Sequence, residues 1–445
     1  MHENQSAPAS LSDNGMLHSS QKSELHILES GIAKPDVEPQ ADAIIIDGSA
    51  FINANPPRGS KTFRDYAAED ILHKVQAYCS KYKRVDIVFD VYKKSSLKSE
   101  TRAQRGKAIR RRVTESSKTP SNWKNFLRDD DNKTELFSFL ASKICQVVAE
   151  STIVVTNGEE IVSNKSEITE SSDLAPCSQE EADTRIFVHM RHATANGSST
   201  VTIKANNTDV VIIAISCFQS FKAIGLEKLC IAFGQGAHSR WIPIHDIVST
   251  IGPERSSGLP FFHAFSGCDV VSAFRGKAKK SVWQTWNVCD EVSGTFTKLS
   301  HWPTTVNDDD LQMLERFVVI MYDRSSAATS VNDARLHLFA RKQRAYDAIP
   351  PTSAALKEHI KRAAYQAGAV WGQATVTQPV LPSPAEWGWK LQGQRWLVNW
   401  TTLPPIAASC QELAKCSCKN SCTNGRFKCF HLTLSCTALC SCECH

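Results

Sequence analysis

The 445-residue sequence contains no run of about 18 consecutive apolar residues, the length a membrane-spanning helix needs, so no membrane span is expected. Its opening residues, MHENQSAPASLSDNG, show no basic start leading into an apolar stretch. No secretory signal is therefore expected, and the protein reads as nuclear or cytoplasmic and not secreted. Charge of one sign is also scarce: 51 Lys and Arg face 46 Asp and Glu, a formal net charge of +5. That bias is too small to argue for nucleic-acid binding, so the distribution of the basic residues has to decide. No internal repeat is present. Residues 1–40 are polar, lack hydrophobic periodicity and are expected to form a disordered tail.

What is present begins with length and an apolar fraction of 42%, enough for a sizeable core in two or three domains. From Asp42 onward, short apolar runs alternate with helix-like segments. The runs 43–47, 85–90, 152–156, 201–205, 210–215 and 229–234 read as strands, and their continuous, β-branched character suits a sheet covered on both faces. Segments such as AEDILHKVQAYCSKY and TELFSFLASKICQVVAE read as the helices between them. This alternation predicts an α/β fold with a mostly parallel sheet flanked by helices. The expected divisions are an α/β domain over 41–290, a helical extension over 291–376, a Pro- and Trp-rich linker over 377–409 and a cysteine-rich module over 410–445.

Carboxylates fall where such a sheet gathers function. Asp47 closes AIIID, Asp90 closes VDIVFD, and Asp209 opens the run at 210–215. In SQEEADTRIFVHM, Ser178 and Glu181 have the spacing of a capping box at a helix start, with Asp183 two residues on. Several buried acids converging would repel one another, and a hard divalent cation relieves that repulsion. Capping and metal ligation both account for these residues. The stretch 93–112 holds nine Lys or Arg against one Glu, with Lys98, Arg102 and Arg105 at helical spacing and Arg110, Arg111 and Arg112 behind them. A solvated charged helix is the usual reading of such a run, but basic density of one sign beside an acidic site fits phosphate contact better. In HAFSGCDVVSAFRGKAKKSVWQTW, Gly267-Cys268-Asp269 is expected to open an apolar helix. A turn at Arg275-Gly276-Lys277 then leads to a second helix carrying Lys279 and Lys280. Lys277, Lys279 and Lys280 are the candidate phosphate contacts there.

Taken in order, IIIDGSAFIN, VFDVYKKSSLKSETRAQR, EEADTR, NNTDVVII and SGCD resemble the flap-endonuclease-like branch of the PIN nucleases, over roughly residues 42–290. The resemblance implies a PIN-like fold with Mg²⁺ or Mn²⁺ held by Asp47, Asp90, Glu181, Asp183, Asp209 and Asp269. It also implies a scissile phosphate contacted by Lys98 and Arg105. The sequence departs from the family at Asn207, where the first acid of an Asp-x-Asp pair is usual, and at Asn53, near a usual aromatic.

Nine of the sixteen cysteines lie in 410–445. Thiolates this dense in a chain without a visible secretory signal point to Zn²⁺. The spacing of Cys416, Cys418, Cys422, Cys429, Cys436, Cys440, Cys442 and Cys444 resembles the tesmin-type CXC domain, a small zinc module that binds DNA. Phe427 departs from that pattern, and Cys410 lies outside it. The combined expectation is a divalent-metal-dependent, structure-selective nuclease acting on branched or single-stranded DNA, with no membrane partner. Two alternatives stand beside it. One is a catalytically inactive PIN-like DNA-binding protein of mobile-element origin, and the other is an interaction scaffold docking through the CXC tail.

Overall fold

Asn14 and Gly15 both take positive φ, 51° and 82°. An Asn-Gly pair adopts that backbone readily, and it is the turn geometry that matches the twist of a two-residue hairpin. The pair joins strands β1 (Ser12–Asp13) and β2 (Met16–Leu17) in the computed structural model, which describes residues 7–19, 24–93, 96–98, 109–170, 173–340 and 345–404. The expected disordered tail is thus corrected over its described part. Leu11, Leu25 and Leu28 are buried in the main core, each contributing about 1.5–3 kcal/mol of burial. The low apolar content of 1–40 concealed three leucines placed where a larger domain could cover them.

The sheet has seven strands: β3 (Ala43–Asp47), β4 (Arg84–Val88), β5 (Thr152–Asn157), β6 (Glu160–Ser163), β7 (Thr200–Lys204), β8 (Lys228–Phe233) and β9 (Arg240–Pro243). Their order is β6-β5-β4-β3-β7-β8-β9. The five central strands are parallel, and β6 and β9 pair antiparallel at the edges. Alternation along β3 sorts its side chains between two cores. Ile44 and Ile46 pack on one face with Phe63, Tyr66 and Leu140, while Ala43 and Ile45 pack on the other with Ile186 and Ile203. Helices therefore cover both faces, and the fold is α/β with a mostly parallel sheet.

The run 210–215 is not a strand. It lies in the helix Thr208–Lys222, capped by the Asn207 side chain, which accepts from Asp209 N. The helix is buried all round from Thr208 to Ile215 among the helices Ala182–Ala195, Ile244–Ile251 and Pro253–Phe265, so every position of 210–215 is apolar and periodicity cannot tell it from a buried strand. Gly267-Cys268-Asp269 likewise follows the helix Pro253–Phe265 and does not open one. Gly267 has φ +115°, and a Cβ there would come within 2.7 Å of Ala273 Cβ, so this turn requires glycine. The next helix, Lys279–Trp286, does start where the sequence suggests.

Beyond the sheet, helices at Asp308–Tyr322, Val331–Ala340 and Ser353–Ala364 share the same core as β7 and β8. Residues 377–404 hold an antiparallel hairpin of β10 (Trp389–Gln392) and β11 (Arg395–Val398). No helix among the described residues is long and apolar enough to cross a membrane. The eight expected zinc cysteines, Arg102 and Arg105 lie outside the described residues.

Candidate active site

From β3 the chain runs outward to β4 and β5, then returns to β7 on the other side of β3. Helices on either side of such a reversal leave a crevice at the carboxyl ends of the strands. A cleft of about 810 Å³ lies there, lined by Asp47, Asp90, Glu181, Asp183 and Asp269 together with Lys98.

Asp47 ends β3 and caps the helix Gly48–Ala54, its Oδ1 accepting from Ala50 N at 2.9 Å. Gly48 allows this tight exit, because a Cβ on it would lie 2.3 Å from the Phe89 ring. Asp90, just past β4, accepts from Ser49 Oγ at 2.7 Å and from the Tyr92 hydroxyl at 3.2 Å. Its Oδ1 also accepts from Ala182 N at 2.8 Å, so it supplies the cap of the helix Ala182–Ala195 from another element. The capping box expected from Ser178 and Glu181 is therefore corrected. Glu181 is the N-cap residue but makes no side-chain cap bond, and the Ser178 amide donates to Thr377 O. The reason is Lys98, whose ammonium pairs with the Glu181 carboxylate. Asp183 accepts from Asn207 Nδ2.

Asp209 sits in the first turn of its helix, not at a strand start, and lines the adjoining cavity and not the acid cleft itself. His263 Nε2 hydrogen-bonds it at 3.0 Å, and His263 Nδ1 bonds the buried carboxylate of Glu24. Asp269 is exposed on the rim.

The electrostatics follow from this crowding. Burial and the nearby Asp90 push Asp47 up to about 7. Burial pushes Glu181 up to about 7 even though Lys98 opposes it. Burial and Glu181 raise Asp183 well above the carboxylate range. Burial would lower Lys98, but Glu181, Asp183 and Asp209 outweigh it and hold the ammonium charged. Burial would raise Asp209, yet His263, Lys98 and Lys279 keep it below its ordinary value. The cluster thus holds more negative charge than Lys98 alone can balance.

An all-oxygen set of buried acids has the donor chemistry that Mg²⁺ or Mn²⁺ takes. Among the described residues, however, no three acids, cysteines or histidines are gathered closely enough to hold an ion as they stand. Lys98 occupies Glu181 and Asn207 occupies Asp183.

The other candidate contacts divide. Arg110 and Arg112 pair with Glu135, away from the acids, and Arg111 is exposed beside them. Lys280 is exposed. Lys277 donates to Met321 O at 2.8 Å and lies over the Tyr322 ring. Lys279 as a phosphate contact is corrected: it is 3% exposed and donates to His263 O at 2.7 Å and Ser266 Oγ at 2.8 Å, 3.4 Å from Glu24. A lysine in a basic run was needed inside to balance a buried carboxylate.

Sequence reasoning missed the basic wall of the cleft, formed by Lys124, Arg128 and Lys133. Lys133 stands 3.9 Å from the Tyr92 ring centroid and pairs with Asp130 at 2.9 Å. The mixed charges of WKNFLRDDDNK hid these residues, because no local excess of one sign marks them. It also missed His263 and Glu24, whose roles depend on contacts across more than 200 residues of sequence.

No protein-family model matches the chain, and no curated protein matches it in sequence. Among solved structures it is similar to the bacteriophage T5 D15 protein co-crystallised with metal ions. Identity there is 12% over 61% of this chain and 83% of that one, with a TM-score of 0.34. A pseudo-enzyme–product complex of the T5 D15 flap endonuclease with DNA and metal ions gives 11% identity, the same coverages and a TM-score of 0.34. The catalytic core of Rad2 in complex with DNA substrate gives 13% identity over 75% of this chain and 97% of that one, with a TM-score of 0.33.

Proposed function

We propose that the protein is a divalent-metal-dependent, structure-selective nuclease of the flap-endonuclease-like PIN type, hydrolysing phosphodiester bonds in DNA. The observation that carries this reading is the cleft itself. Two buried acids raised to about 7 and a third, Asp183, also raised by burial and by Glu181, face each other at the switch point of a parallel sheet, opposite Lys124, Arg128 and Lys133. Acids so placed oppose folding, and retaining them there is the mark of a site built to bind positive charge. Asp47, Asp90, Glu181, Asp183, Asp209 and Asp269 would hold Mg²⁺ or Mn²⁺, which supplies water activation and charge neutralisation at phosphorus. Lys124, Arg128 and Lys133 bind the backbone phosphates and set the strand's position. Tyr92 and Ser49 fix the Asp90 carboxylate, and His263 fixes Asp209. Lys98 is charged and central, placed to meet an anionic phosphate when it leaves Glu181.

The test is cleavage of branched and linear DNA with Mg²⁺ or Mn²⁺ by wild type and Asp90→Asn, whose amide oxygen can still cap Ala182. Loss of at least about a hundredfold in rate with affinity retained supports the reading. A second reading, a DNA-binding protein without catalysis, is favoured by Asn207 standing in place of an acid and by the Lys98–Glu181 pair. Metal-independent binding with no cleavage by wild type decides for it. We also infer that 410–445 holds zinc and that the protein acts in the nucleus. Metal analysis of reduced protein finding no zinc overturns the first, and nuclear exclusion in fractionated cells overturns the second.

A further inference from the structure

A second cavity, of about 700 Å³, adjoins the acid cleft and shares Asn207 and Asp269 with it. Its walls are apolar and aromatic: Trp389 and Trp396 from the β10–β11 hairpin, Trp400 just beyond it, and Met16 and Leu17 from β2. Lys390 and Arg395 stand exposed at its rim. The floor is polar. Glu24, 1% exposed, bonds His263 through Oε2, but among the described residues its Oε1 is buried without a hydrogen-bonding partner, and so is His18 Nε2. Both residues line the cavity. A buried acceptor left unpaired is costly, and a ligand that donates to it recovers that loss.

Flat aromatic walls, a polar floor and this volume match the demands of a nucleobase. An aliphatic occupant would leave Glu24 Oε1 without a donor, and the basic rim favours a ligand that carries phosphate. We propose that this cavity receives the base of an unpaired nucleotide from a strand lying in the acid cleft. It should prefer bases with an exocyclic amino group, because the free carboxylate oxygen accepts an N–H. Thymine and uracil flank their N3–H with two carbonyl oxygens, which that carboxylate repels. The inference rests on the reading that the cleft binds nucleic acid.

The experiment is photocrosslinking of the full-length protein to branched DNA carrying one unpaired 5-iododeoxycytidine or 5-iododeoxyuridine, with peptide mapping. The expected crosslink falls within 389–400, with a yield about tenfold higher for the cytosine probe. Trp396→Leu should remove it, and Glu24→Gln should abolish the preference between the probes. The exposed pair Lys390→Ala with Arg395→Ala, which leaves the cavity walls intact, should lower the yield several-fold. Crosslinks confined to the acid cleft or to 405–445, or a yield indifferent to all these variants, overturn the proposal. Cleavage of the same DNA is measured in parallel. Crosslinking at 389–400 without cleavage keeps this inference and removes the nuclease reading, while cleavage with no crosslink there does the reverse.

Discussion

Replacing Asp47 by Asn should stabilise the protein while destroying the site. Asp47 is 9% exposed and pushed to about 7 by burial and by Asp90, from an ordinary value of 3.8. Keeping it ionised in the folded state therefore opposes folding by about three pH units at about 1.4 kcal/mol each, about 4 kcal/mol as an upper figure. Asn carries no charge, and its side-chain oxygen can still accept from Ala50 N, so the helix cap is retained. Neighbouring groups relax and wild type is partly protonated near neutrality, so the measured gain at pH 7 should be about 2–3 kcal/mol. The pH dependence is the sharper signature. A carboxyl with a raised folded pKa gives its full stability below about 4 and loses it as pH rises to about 7. The advantage of Asp47→Asn should then grow by roughly 1.4 kcal/mol per pH unit over that window and level off above it. Urea unfolding in chelator at pH 5, 7 and 8.5 measures both quantities. An Asp47→Asn protein no more stable than wild type at pH 8.5, or an advantage that does not change with pH, refutes the account of the cleft as an unbalanced acid cluster.

Adding Mg²⁺ or Mn²⁺ should raise the unfolding midpoint of wild type and leave that of Asp47→Asn with Asp183→Asn nearly unmoved; equal shifts in both would place the ion elsewhere. His359 is fully buried, held down to about 3 by burial, and its Nε2 donates to Phe265 O at 2.8 Å. Because its folded pKa is depressed, the unfolded chain takes up a proton first. Below about 6.5, stability should fall by about 1.4 kcal/mol per pH unit on its account, and His359→Gln should flatten that slope in urea titrations. Gly48→Ala forces the Phe89 ring to move and should destabilise by about 1–3 kcal/mol; an unchanged midpoint would show that the exit from β3 is looser than described.

Strands such as 43–47 and 152–156 were legible because a parallel sheet covered on both faces demands short β-branched runs bounded by polar residues. The same rule failed at 210–215 for a physical reason. A helix buried all round is apolar at every position, and only the Asn207 cap, a single side chain, marks its start. The hairpin at Asn14-Gly15 was not legible, because the residues that hold its flanks, Ser272, Ala273 and Arg275, which bond Leu11, His18 and Ser10, lie far along the chain. The acids were readable one by one as strand-end carboxylates. Their partners were not, because Lys98 reaches Glu181 across 83 residues and Glu24 reaches His263 across 239.

The site also shows why capping and ligation need not compete for the same carboxylate. Asp47 caps the helix that follows it, and Asp90 caps the helix Ala182–Ala195, which carries Asp183 and has Glu181 at its N-cap position. In Asp47 the backbone N–H at the helix start takes one carboxylate oxygen, and in Asp90 the cap takes Oδ1 while Ser49 and Tyr92 hold Oδ2, so lone pairs remain on both groups for a cation. Capping thus fixes the orientation that ligation requires, and the N-terminal ends of two helices converge on the same acids. Their dipoles and free N–H groups favour the anionic forms, against the burial that raises Asp47 and Glu181 to about 7. The balance leaves these acids close to titration at neutral pH, where a cation or an incoming phosphate shifts their charge most easily. Asp90→Ala should therefore do more than remove a ligand. Both Asp90→Ala and Asp90→Asn relieve the repulsion on Asp47, but in Asp90→Ala the Ala182 N–H loses its acceptor, so the helix start should loosen and this variant should be less stable than Asp90→Asn by about 1 kcal/mol. Equal stability of the two variants would separate the cap from the site and undo this coupling.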